Sequence, residues 1–291
     1  MIVVTAASGR YGRLVVEALL RRGVPAGDIV AAVRSPDKVA DLAAKGVQVR
    51  EADYDRPETL VSAFAGADTV LLIPSVSIGQ RFAQMQRAAD AAMRNNVSRI
   101  AYAGFVNGDT STLKLGEEHK QMEAYIRSLD VAHTLLRNGA YIEVYAGDLG
   151  DIGYALAQGV LISSAGDGKV SGASRGDLAE AAAVALTTPT DGNVVYELGG
   201  TAFTKSDIAE SISRHTGKPL VHRDLPVAEY EQVLKAAGLP DGLAAIVADT
   251  SFSITRGDWY TESKDLEKLL GRPSTPMHVV VGETLARNGL L

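Results

Sequence analysis

The residues of this chain with the clearest chemical potential lie near its start, in a loop between a β-branched strand and a helical pattern. Strand residues 2–5 precede the loop, and apolar periodicity resumes at residues 14–20. Small residues let a backbone approach phosphate, and the amides and positive dipole end of the next helix face its negative charge. The loop therefore predicts a pyrophosphate site, built by Ala6, Ser8, Gly9, Arg10, Tyr11 and Gly12.

The first glycine of the nucleotide fingerprint Gly-x-x-Gly-x-x-Gly is replaced here. Ala6 stands in its place, and Gly9 and Gly12 are the other two. The added methyl group is tolerated if Ala6 has a negative φ and its Cβ points away from the nucleotide. Alternatively, the two glycines serve only the packing of the helix on the strand. The position of the loop directly after the first strand favours the nucleotide.

A basic residue follows the second predicted strand and bears on the choice of cofactor. A chain that selects NAD carries Asp or Glu at this point for the ribose 2′-hydroxyl, whereas this chain carries Arg34 after Val33. A guanidinium suits the 2′-phosphate of NADP. The position therefore favours NADPH, with NADH as a possible substitute. Alternatively, Arg34 is a solvated surface residue.

Short strands alternate with helical patterns over the first half of the chain and require a parallel sheet to position these residues. Right-handed crossovers then put helices on both faces, which is the doubly wound, Rossmann-type α/β fold. The predicted strands are 2–5, 29–33, 47–50, 69–73, 99–103 and 134–137, and the predicted helices are 11–22, 36–44, 57–64, 80–95 and 116–128.

The alternation of strands and helices ends near residue 138. This predicts that one part of the chain binds the cofactor and another part binds the substrate. Residues 1–139 form the cofactor-binding core, to which region 170–200 adds a helix over 177–186 and a strand over 194–198. Residues 201–291 form a smaller, mostly helical substrate lobe, and residues 140–169 contribute to the cleft.

Composition excludes several classes of function. With no cysteine there is no thiol nucleophile or thiolate metal site, so redox chemistry requires a cofactor. The net charge of −6 is spread without long runs, which argues against nucleic-acid and anionic-membrane partners. No apolar run approaches the roughly 20 residues of a membrane span, so we expect a cytoplasmic protein. The five histidines lack paired metal-ligand spacing, and no metal site is predicted.

One motif of the chain matches a hydrolase signature but does not indicate a hydrolase. Gly172, Ser174 and Gly176 match Gly-x-Ser-x-Gly before a helical pattern. The first strand, loop and helix are already assigned to a nucleotide, and a nucleophile elbow needs a clear strand before it. The motif is therefore not expected to hold a catalytic serine.

Several strings in a fixed order resemble one family. The chain is similar to the NmrA-like branch of the atypical short-chain dehydrogenases, and within it to bacterial type 2 NAD(P)H:quinone oxidoreductases. The likeness spans almost the whole chain, and it implies that the Gly-x-Ser-x-Gly segment is a turn into a core helix capped by Asp177. It rests on TAASGRYG at 5–12, AAVR at 31–34, ADY at 52–54, LLRNG at 135–139, AGDG at 165–168, VYELGG at 195–200 and GLPDGLA at 238–244.

This resemblance implies flavin-independent hydride transfer from NADPH to a small quinone or similar planar acceptor, by a monomer or homodimer. It also implies that Asp53 contacts the adenine, although Asp53 equally suits a turn before a helix. The other strand-end residues expected at the cofactor are Tyr54, Ile73, Pro74, Ser75, Gly104, Phe105 and Asn138.

The catalytic Tyr-x-x-x-Lys pair of ketone-reducing relatives is missing where it is needed. The only match, Tyr260 to Lys264, lies far downstream. A quinone is a strong hydride acceptor whose product oxygen is a weaker base than an alkoxide, so it needs stacking and hydrogen-bond donors more than a strong acid. The expected donors are Asn138 and Tyr141.

His119 is a third candidate catalytic residue. It could donate a proton with Glu123, one helical turn away, setting its tautomer; alternatively the two form an exposed helical pair. Two other functions remain open. The missing Tyr-Lys pair also fits a non-catalytic NADP(H) sensor of the NmrA type, and it fits a reductase or isomerase of another carbonyl or sugar in which His119 replaces the tyrosine.

Overall fold

The computed structural model describes residues 1–148, 152–190 and 192–291. In chain order its strands are β1 (Ile2–Thr5), β2 (Ile29–Val33), β3 (Gln48–Glu51), β4 (Thr69–Leu72), β5 (Arg99–Phe105), β6 (Ala132–Asn138), β7 (Ala140–Tyr141), β8 (Val160–Ser163), β9 (Val170–Ala173), β10 (Val194–Leu198), β11 (Thr201–Phe203) and β12 (Val221–Asp224).

Helices fill most intervals between these strands and dominate the C-terminal third. In chain order they are α1 (Arg10–Arg21), α2 (Ala40–Ala44), α3 (Pro57–Ala63), α4 (Arg81–Arg94), α5 (Glu117–Ser128), α6 (Ile152–Gln158), α7 (Arg175–Thr187), α8 (Lys205–Thr216), α9 (Val227–Ala236), α10 (Asp241–Ser253), α11 (Asp265–Leu270) and α12 (Met277–Arg287).

Seven of the described strands form one parallel sheet in the order β3-β2-β1-β4-β5-β6-β10. The chain first builds β1, β2 and β3 outward, then crosses β1 to build β4, β5 and β6 in the opposite direction. Ligands of open α/β sheets bind in the crevice beyond the carboxyl ends of the strands at such a reversal. The crevice here lies beyond β1 and β4, and the predicted doubly wound Rossmann-type fold is confirmed.

Successive residues of each strand are buried on opposite faces of this sheet. Val4 and Leu71 pack with α1 and α7, whereas Val3 and Val70 pack with α3 and α4. Tyr102 of β5 lies on the second face, with α5. This alternation follows from the period of two in a strand, and both faces are apolar because helices cover both. The buried sheet gives its carboxyl edge a fixed geometry.

A third apolar cluster lies beyond this edge and joins residues between Ala140 and Leu285. It includes Phe203, Ile208 of α8 and Val281 of α12. Two small sheets, with orders β11-β9-β7 and β12-β8, belong to this region. The mostly helical C-terminal lobe therefore has its own core. The domain limits at residues 139 and 201 stay a prediction.

Local predictions hold for most elements but fail at α7. This helix begins at Arg175, and its cap is Ser174, whose Oγ accepts a hydrogen bond of 2.9 Å from the amide of Asp177. The prediction that Asp177 caps the helix is therefore wrong. Its carboxylate instead accepts bonds from Arg272 (2.7 Å) and the amide of Thr275 (2.6 Å). Although β9 leads into Gly-x-Ser-x-Gly, the serine is a cap.

Candidate active site

The loop between β1 and α1 presents backbone amides at the edge of the sheet. Helix α1 begins at Arg10, and its N-cap residue Gly9 has no side chain to bond the first amides. The described first turn of α1 also contains no acidic side chain. The orphan amides and the helix dipole therefore favour an anionic ligand at this end.

Ala6 has a φ of +48°, so the condition of a negative φ, under which its methyl group would be tolerated without strain, is not met. Its carbonyl oxygen accepts a 2.9 Å hydrogen bond from the amide of Gly9, which closes a tight turn. A left-handed conformation costs a non-glycine residue roughly 1–2 kcal/mol. Glycine would relieve this strain, which gives a physical reason for the glycine of the fingerprint.

Gly12 lies against the same turn. A Cβ on Gly12 would lie 2.5 Å from the carbonyl oxygen of Ala6, and one on Gly9 would lie 3.1 Å from that oxygen. The packing alternative considered for these glycines therefore applies at Gly12, where helix and loop approach closely. This close packing also sets the position of the amides that face the crevice.

The residues beyond β2 and β3 differ in how firmly they are held. Arg34 is exposed and has no hydrogen bond or ion pair to any residue that the structure describes. Asp53 is fixed in a turn, because its Oδ1 accepts a 3.0 Å bond from the amide of Asp55 and its own amide donates to Thr59 Oγ1 at 2.9 Å. Tyr54 Oη donates to a carbonyl beyond β4 at 2.7 Å. Contact of these residues with a cofactor stays a prediction.

A cavity of about 540 Å³ opens beyond the ends of β4, β5 and β6. The structure brings many of the predicted site residues to its wall: Ile73, Pro74, Ser75, Gly104, Phe105, His119, Asn138 and Tyr141. The remaining predicted residues lie outside the wall. They belong to the loop before α1, to the first turn of α1 and to the β1-β2-β3 half of the edge: Ala6, Ser8, Gly9, Arg10, Tyr11, Gly12, Arg34, Asp53 and Tyr54. A dinucleotide spans both halves of such a crevice.

Asn138, the last residue of β6, has a buried amide with unmet hydrogen-bonding capacity. Neither its Nδ2 nor its Oδ1 has a partner in the described chain, and the same holds for the buried Oη of Tyr11. A buried polar group without a partner costs about 1–3 kcal/mol. An amide offers donors and an acceptor, the complement of another amide. These atoms therefore fit the carboxamide of a nicotinamide.

Tyr141 lies beside these groups. Its ring centroid is 5.9 Å from that of Tyr11, and the Arg175 guanidinium lies 4.8 Å from the ring centre of Tyr141. Burial raises the pKa of Tyr141 to about 12 and also raises the pKa of Tyr11. Both phenols are therefore neutral near pH 7 and retain their protons for donation.

Tyr102 holds His119 in one orientation. The two meet because β5 and α5 share a face of the sheet, and Tyr102 Oη lies 2.8 Å from His119 Nδ1. Burial lowers the pKa of His119 to about 4, so the ring is neutral near pH 7. Since the phenol is the stronger donor, it donates to Nδ1 and leaves the ring proton on Nε2. The described residues offer Nε2 no partner, so it can donate to a ligand.

Glu123 does not set this tautomer, and the alternative of an exposed His-Glu pair is also wrong. Its carboxylate is buried and accepts bonds from Arg137 Nε (3.0 Å) and Nη2 (2.7 Å). Arg137 also bonds Asp109 (2.9 Å) and Glu197 (2.7 Å). Helical spacing put Glu123 near His119, but a long-range cation binds it. The network ties α5 to β6 next to Asn138.

The hydroxyl of the strand-end residue Ser75, which we expected at the cofactor, already has hydrogen-bond partners within the chain. Its hydroxyl donates to Gln84 Oε1 at 2.6 Å and accepts from the amide of Ser77 at 3.1 Å. Thr5 Oγ1 links the neighbouring strand ends, donating to the carbonyl of Leu71 (3.0 Å) and accepting from the amide of Ile73 (2.9 Å). The side chain of Ser75 therefore shapes the loop after β4.

Sequence reasoning missed several wall residues because distant segments supply them. Trp259 lies 5.6 Å from Phe105 between ring centroids, and its Nε1 donates to Ser253 Oγ at 3.0 Å. No local pattern marked these residues. The lining residues of this kind include Arg81 from α4 and, from the C-terminal part of the chain, Tyr145, Lys205, Tyr230, Ile246, Val247 and Trp259.

A further missed residue, Asp148, joins the two sides of the crevice. Its side chain is 1% exposed and pairs with Arg10 at 2.5 Å, with Arg287 at 3.1 Å and with Arg175. These arginines come from the starts of α1 and α7 and the end of α12. Arg10, which we expected at the cofactor, thus has its guanidinium at a carboxylate of the C-terminal region; its cofactor contact stays a prediction.

Two searches of residues 1–148, 152–190 and 192–291 gave negative results. No cluster of three or more His, Cys, Asp or Glu side chains there could hold a metal ion. None of the helices in these ranges is both long enough and apolar enough to cross a bilayer.

A family model and two relatives match nearly the whole chain. The model of the NmrA-like family matches residues 1–268. Quinone oxidoreductase 2 of Escherichia coli K12 is 41% identical over 278 residues, which cover 95% of this chain and 96% of the relative. The NAD(P)H azoreductase of Xenophilus azovorans is 25% identical over 282 residues, 94% of each chain.

Two solved structures are similar to this fold over their full lengths. The NADPH complex of an NADPH-dependent quinone oxidoreductase from E. coli has a TM-score of 0.92 and 40% identity, covering 97% of this chain and 99% of that one. The triphenylmethane reductase of Citrobacter sp. complexed with NADP(H) has a TM-score of 0.90 and 34% identity, covering 98% and 100%.

Proposed function

Since the chain belongs to the NmrA-like family, we propose that it is a flavin-independent oxidoreductase that uses NADPH to reduce a small quinone. The observation that carries this proposal is the buried, unpartnered amide of Asn138 at the wall of an aromatic cavity. It is the group that a nicotinamide carboxamide would satisfy. The quinone reductase from E. coli, at 41% identity, supports the choice of acceptor.

The cofactor would be held along both halves of the crevice. The amides at the start of α1 would bind the pyrophosphate, and Arg34 would bind the 2′-phosphate. Asn138 and Tyr11 would bind the carboxamide. When bound, NADPH supplies the hydride. NADH would lack the group that Arg34 recognises.

The chain's own contribution is to bind and orient the acceptor. Phe105 and Trp259 give a planar ring an apolar contact surface, and the partly enclosed cavity excludes water. The Nε2 proton of His119 and the phenol of Tyr141 would donate hydrogen bonds to an acceptor oxygen that gains negative charge. Because His119 is neutral, it acts as a hydrogen-bond donor, and the reduced acceptor takes the proton that completes the hydroquinone from bulk water as it leaves the cavity.

A steady-state assay tests this function. We expect NADPH oxidation with 1,4-benzoquinone or 1,4-naphthoquinone, one NADPH consumed per hydroquinone, by protein shown spectroscopically to contain no flavin. Controls omit the enzyme or the quinone. Turnover at the uncatalysed rate by protein that binds NADPH in calorimetry would contradict the proposal and support an NADP(H) sensor.

His119→Ala belongs to the same assay. With a quinone, loss of one hydrogen-bond donor is expected to lower kcat about tenfold, because a neutral donor contributes modestly. A loss of several orders of magnitude would instead indicate essential acid-base catalysis, as in a reductase or isomerase of another carbonyl or sugar.

We further propose a cytoplasmic location, a monomeric or homodimeric state, and no nucleic-acid or membrane partner. The modest net charge of −6, spread without long runs, supports the choice of a small-molecule partner. Size-exclusion chromatography with light scattering measures the oligomeric state.

A further inference from the structure

We propose that the physiological acceptor is an anionic quinone, whose carboxylate or sulfonate substituent binds Arg81 at the cavity wall. This inference rests on the proposed function and adds the chemical class of the substrate. Its basis is the guanidinium of Arg81, which lines a largely apolar and aromatic wall and has N–H donors that no described residue binds.

Arg81 is the first residue of α4, and it lines the cavity together with His119 and Phe105. Its Nε donates a 2.8 Å hydrogen bond to the carbonyl of Ser75, which fixes the stem of the side chain. Its Nη1 and Nη2 bond no group that the structure describes. The planar end of a guanidinium carries paired N–H donors that match a carboxylate or sulfonate.

Nearby carboxylates do not neutralise this cation at contact distance. The charge of Glu118 raises the pKa of Arg81 less than burial lowers it. The two side chains form no ion pair, and the Glu118 oxygens accept bonds from the amides of Gly79 (2.8 Å) and Phe82 (3.1 Å). Burial lowers the pKa of Arg81, because removing the guanidinium from water disfavours its charge. An anion in the cavity would offset this cost.

Lys205 adds a second positive charge to the wall from the C-terminal lobe. Its Nζ lies 4.2 Å from the ring centre of Tyr145, and both residues line the cavity. Among the described residues of the wall there is no Asp or Glu. The Arg81 guanidinium therefore offers an anion in the cavity a charge-assisted hydrogen bond.

This charge lies on the acceptor side of the crevice. The phosphates of a dinucleotide are expected at the start of α1 and near Arg34, beside β1 and β2. Arg81 instead follows β4 and lies with His119, the proposed donor to the acceptor. Its free donors are therefore available to the acceptor.

The test compares an anionic and a neutral quinone in wild type and in Arg81→Gln. The substrates are 1,4-naphthoquinone-2-sulfonate and 2-methyl-1,4-naphthoquinone, and the readout is the ratio of their kcat/KM values. We expect Arg81→Gln to lower this ratio about tenfold through the KM of the sulfonate, since a charge-assisted hydrogen bond is lost. The difference in intrinsic reactivity between the two quinones is the same for both enzymes. It therefore cancels when the ratio in Arg81→Gln is compared with the ratio in wild type.

Two further variants serve as controls. Arg81→Lys keeps the charge and is expected to recover part of the ratio. Arg87→Gln removes an arginine from the same helix that pairs with Asp55 and is not part of the cavity wall, so it is expected to leave the ratio unchanged. Calorimetry with naphthalene-2-sulfonate gives a readout without turnover, in which Arg81→Gln is expected to weaken binding about tenfold.

A ratio that is the same in Arg81→Gln as in wild type would overturn the inference while leaving quinone reduction intact. This holds whether or not the two kcat/KM values fall together. Arg81-dependent binding of naphthalene-2-sulfonate by a protein that reduces no quinone would support the charge preference and contradict the proposed function.

Discussion

At the scale of single residues, two kinds of polar group define the crevice. Asn138 and Tyr11 are buried without partners, and His119 is held by Tyr102 with one nitrogen free. Groups left unsatisfied inside a fold weaken it unless a ligand completes them. These residues therefore indicate binding, in contrast to Ser75, whose hydroxyl has partners within the chain.

Arg34 is the residue on which cofactor choice is predicted to depend. Arg34→Ala is expected to raise the Kd for NADPH at least tenfold and to leave the Kd for NADH nearly unchanged, because only NADPH carries the 2′-phosphate. Lys38→Ala is the matched control, an exposed cation in the next segment that should affect neither. Titration calorimetry measures both constants. Equal effects on the two cofactors would exclude contact with the 2′-phosphate.

At the scale of elements, the junction of β1 and α1 depends on close backbone packing. Ala6 holds a left-handed turn, and Gly12 in the first part of α1 has no room for a side chain beside it. The amides at the start of α1 are usable only while helix and loop keep this distance. The proposed phosphate binding and the local stability therefore depend on the same contact.

Gly12→Ala is expected to destabilise the fold by about 2 kcal/mol and to weaken NADPH binding at least tenfold, because its Cβ would lie 2.5 Å from a backbone oxygen. Gly176→Ala is the control in the first turn of α7. Its Cβ would meet only Ser174 Oγ, at 3.6 Å, so stability should change by less than about 1 kcal/mol. Urea unfolding and calorimetry measure the effects. Indistinguishable variants would show that the loop adjusts freely.

At the scale of the whole molecule, one buried carboxylate joins both sides of the crevice. Asp148 pairs with Arg10, Arg175 and Arg287, which belong to α1, α7 and α12. Since these helices are far apart in sequence, the cluster forms only in the folded chain. It links the start of α1, where we propose that the phosphates bind, to the C-terminal lobe that supplies much of the cavity wall.

Asp148→Ala is expected to lower the free energy of unfolding by about 1–3 kcal/mol, because it leaves the buried guanidinium of Arg175 without its carboxylate, whereas Arg10 and Arg287 are more than half exposed and reach solvent. Asp41→Ala is the matched control: Asp41 pairs with Arg13 at 2.7 Å, but its side chain is 55% exposed, so the free energy of unfolding is expected to change little. Urea denaturation at neutral pH measures both. A loss below 1 kcal/mol for Asp148→Ala would show that the arginines find solvent or other partners.

The sequence by itself determined the sheet and predicted the end of the crevice at which we propose that phosphate binds. Strand and helix periods are local properties, so the alternation up to residue 138 predicted the doubly wound fold and the order of its elements. The loop from Ala6 to Gly12 and the missing Tyr-Lys pair are also local, and they predicted a dinucleotide site without a strong catalytic acid. Asn138 could be proposed because strand ends of a parallel sheet share one edge.

Only the tertiary structure decided the rest of the site. The φ of Ala6 depends on packing against α1, and the partner of Glu123 is Arg137, on a neighbouring strand. Arg81 and Trp259 come together from segments widely separated in sequence. Helical spacing reports which residues share a face, but it does not report which distant charge or ring is packed there. The acceptor side of the crevice is built from such long-range contacts, so its shape and charge appear only when the chain is folded.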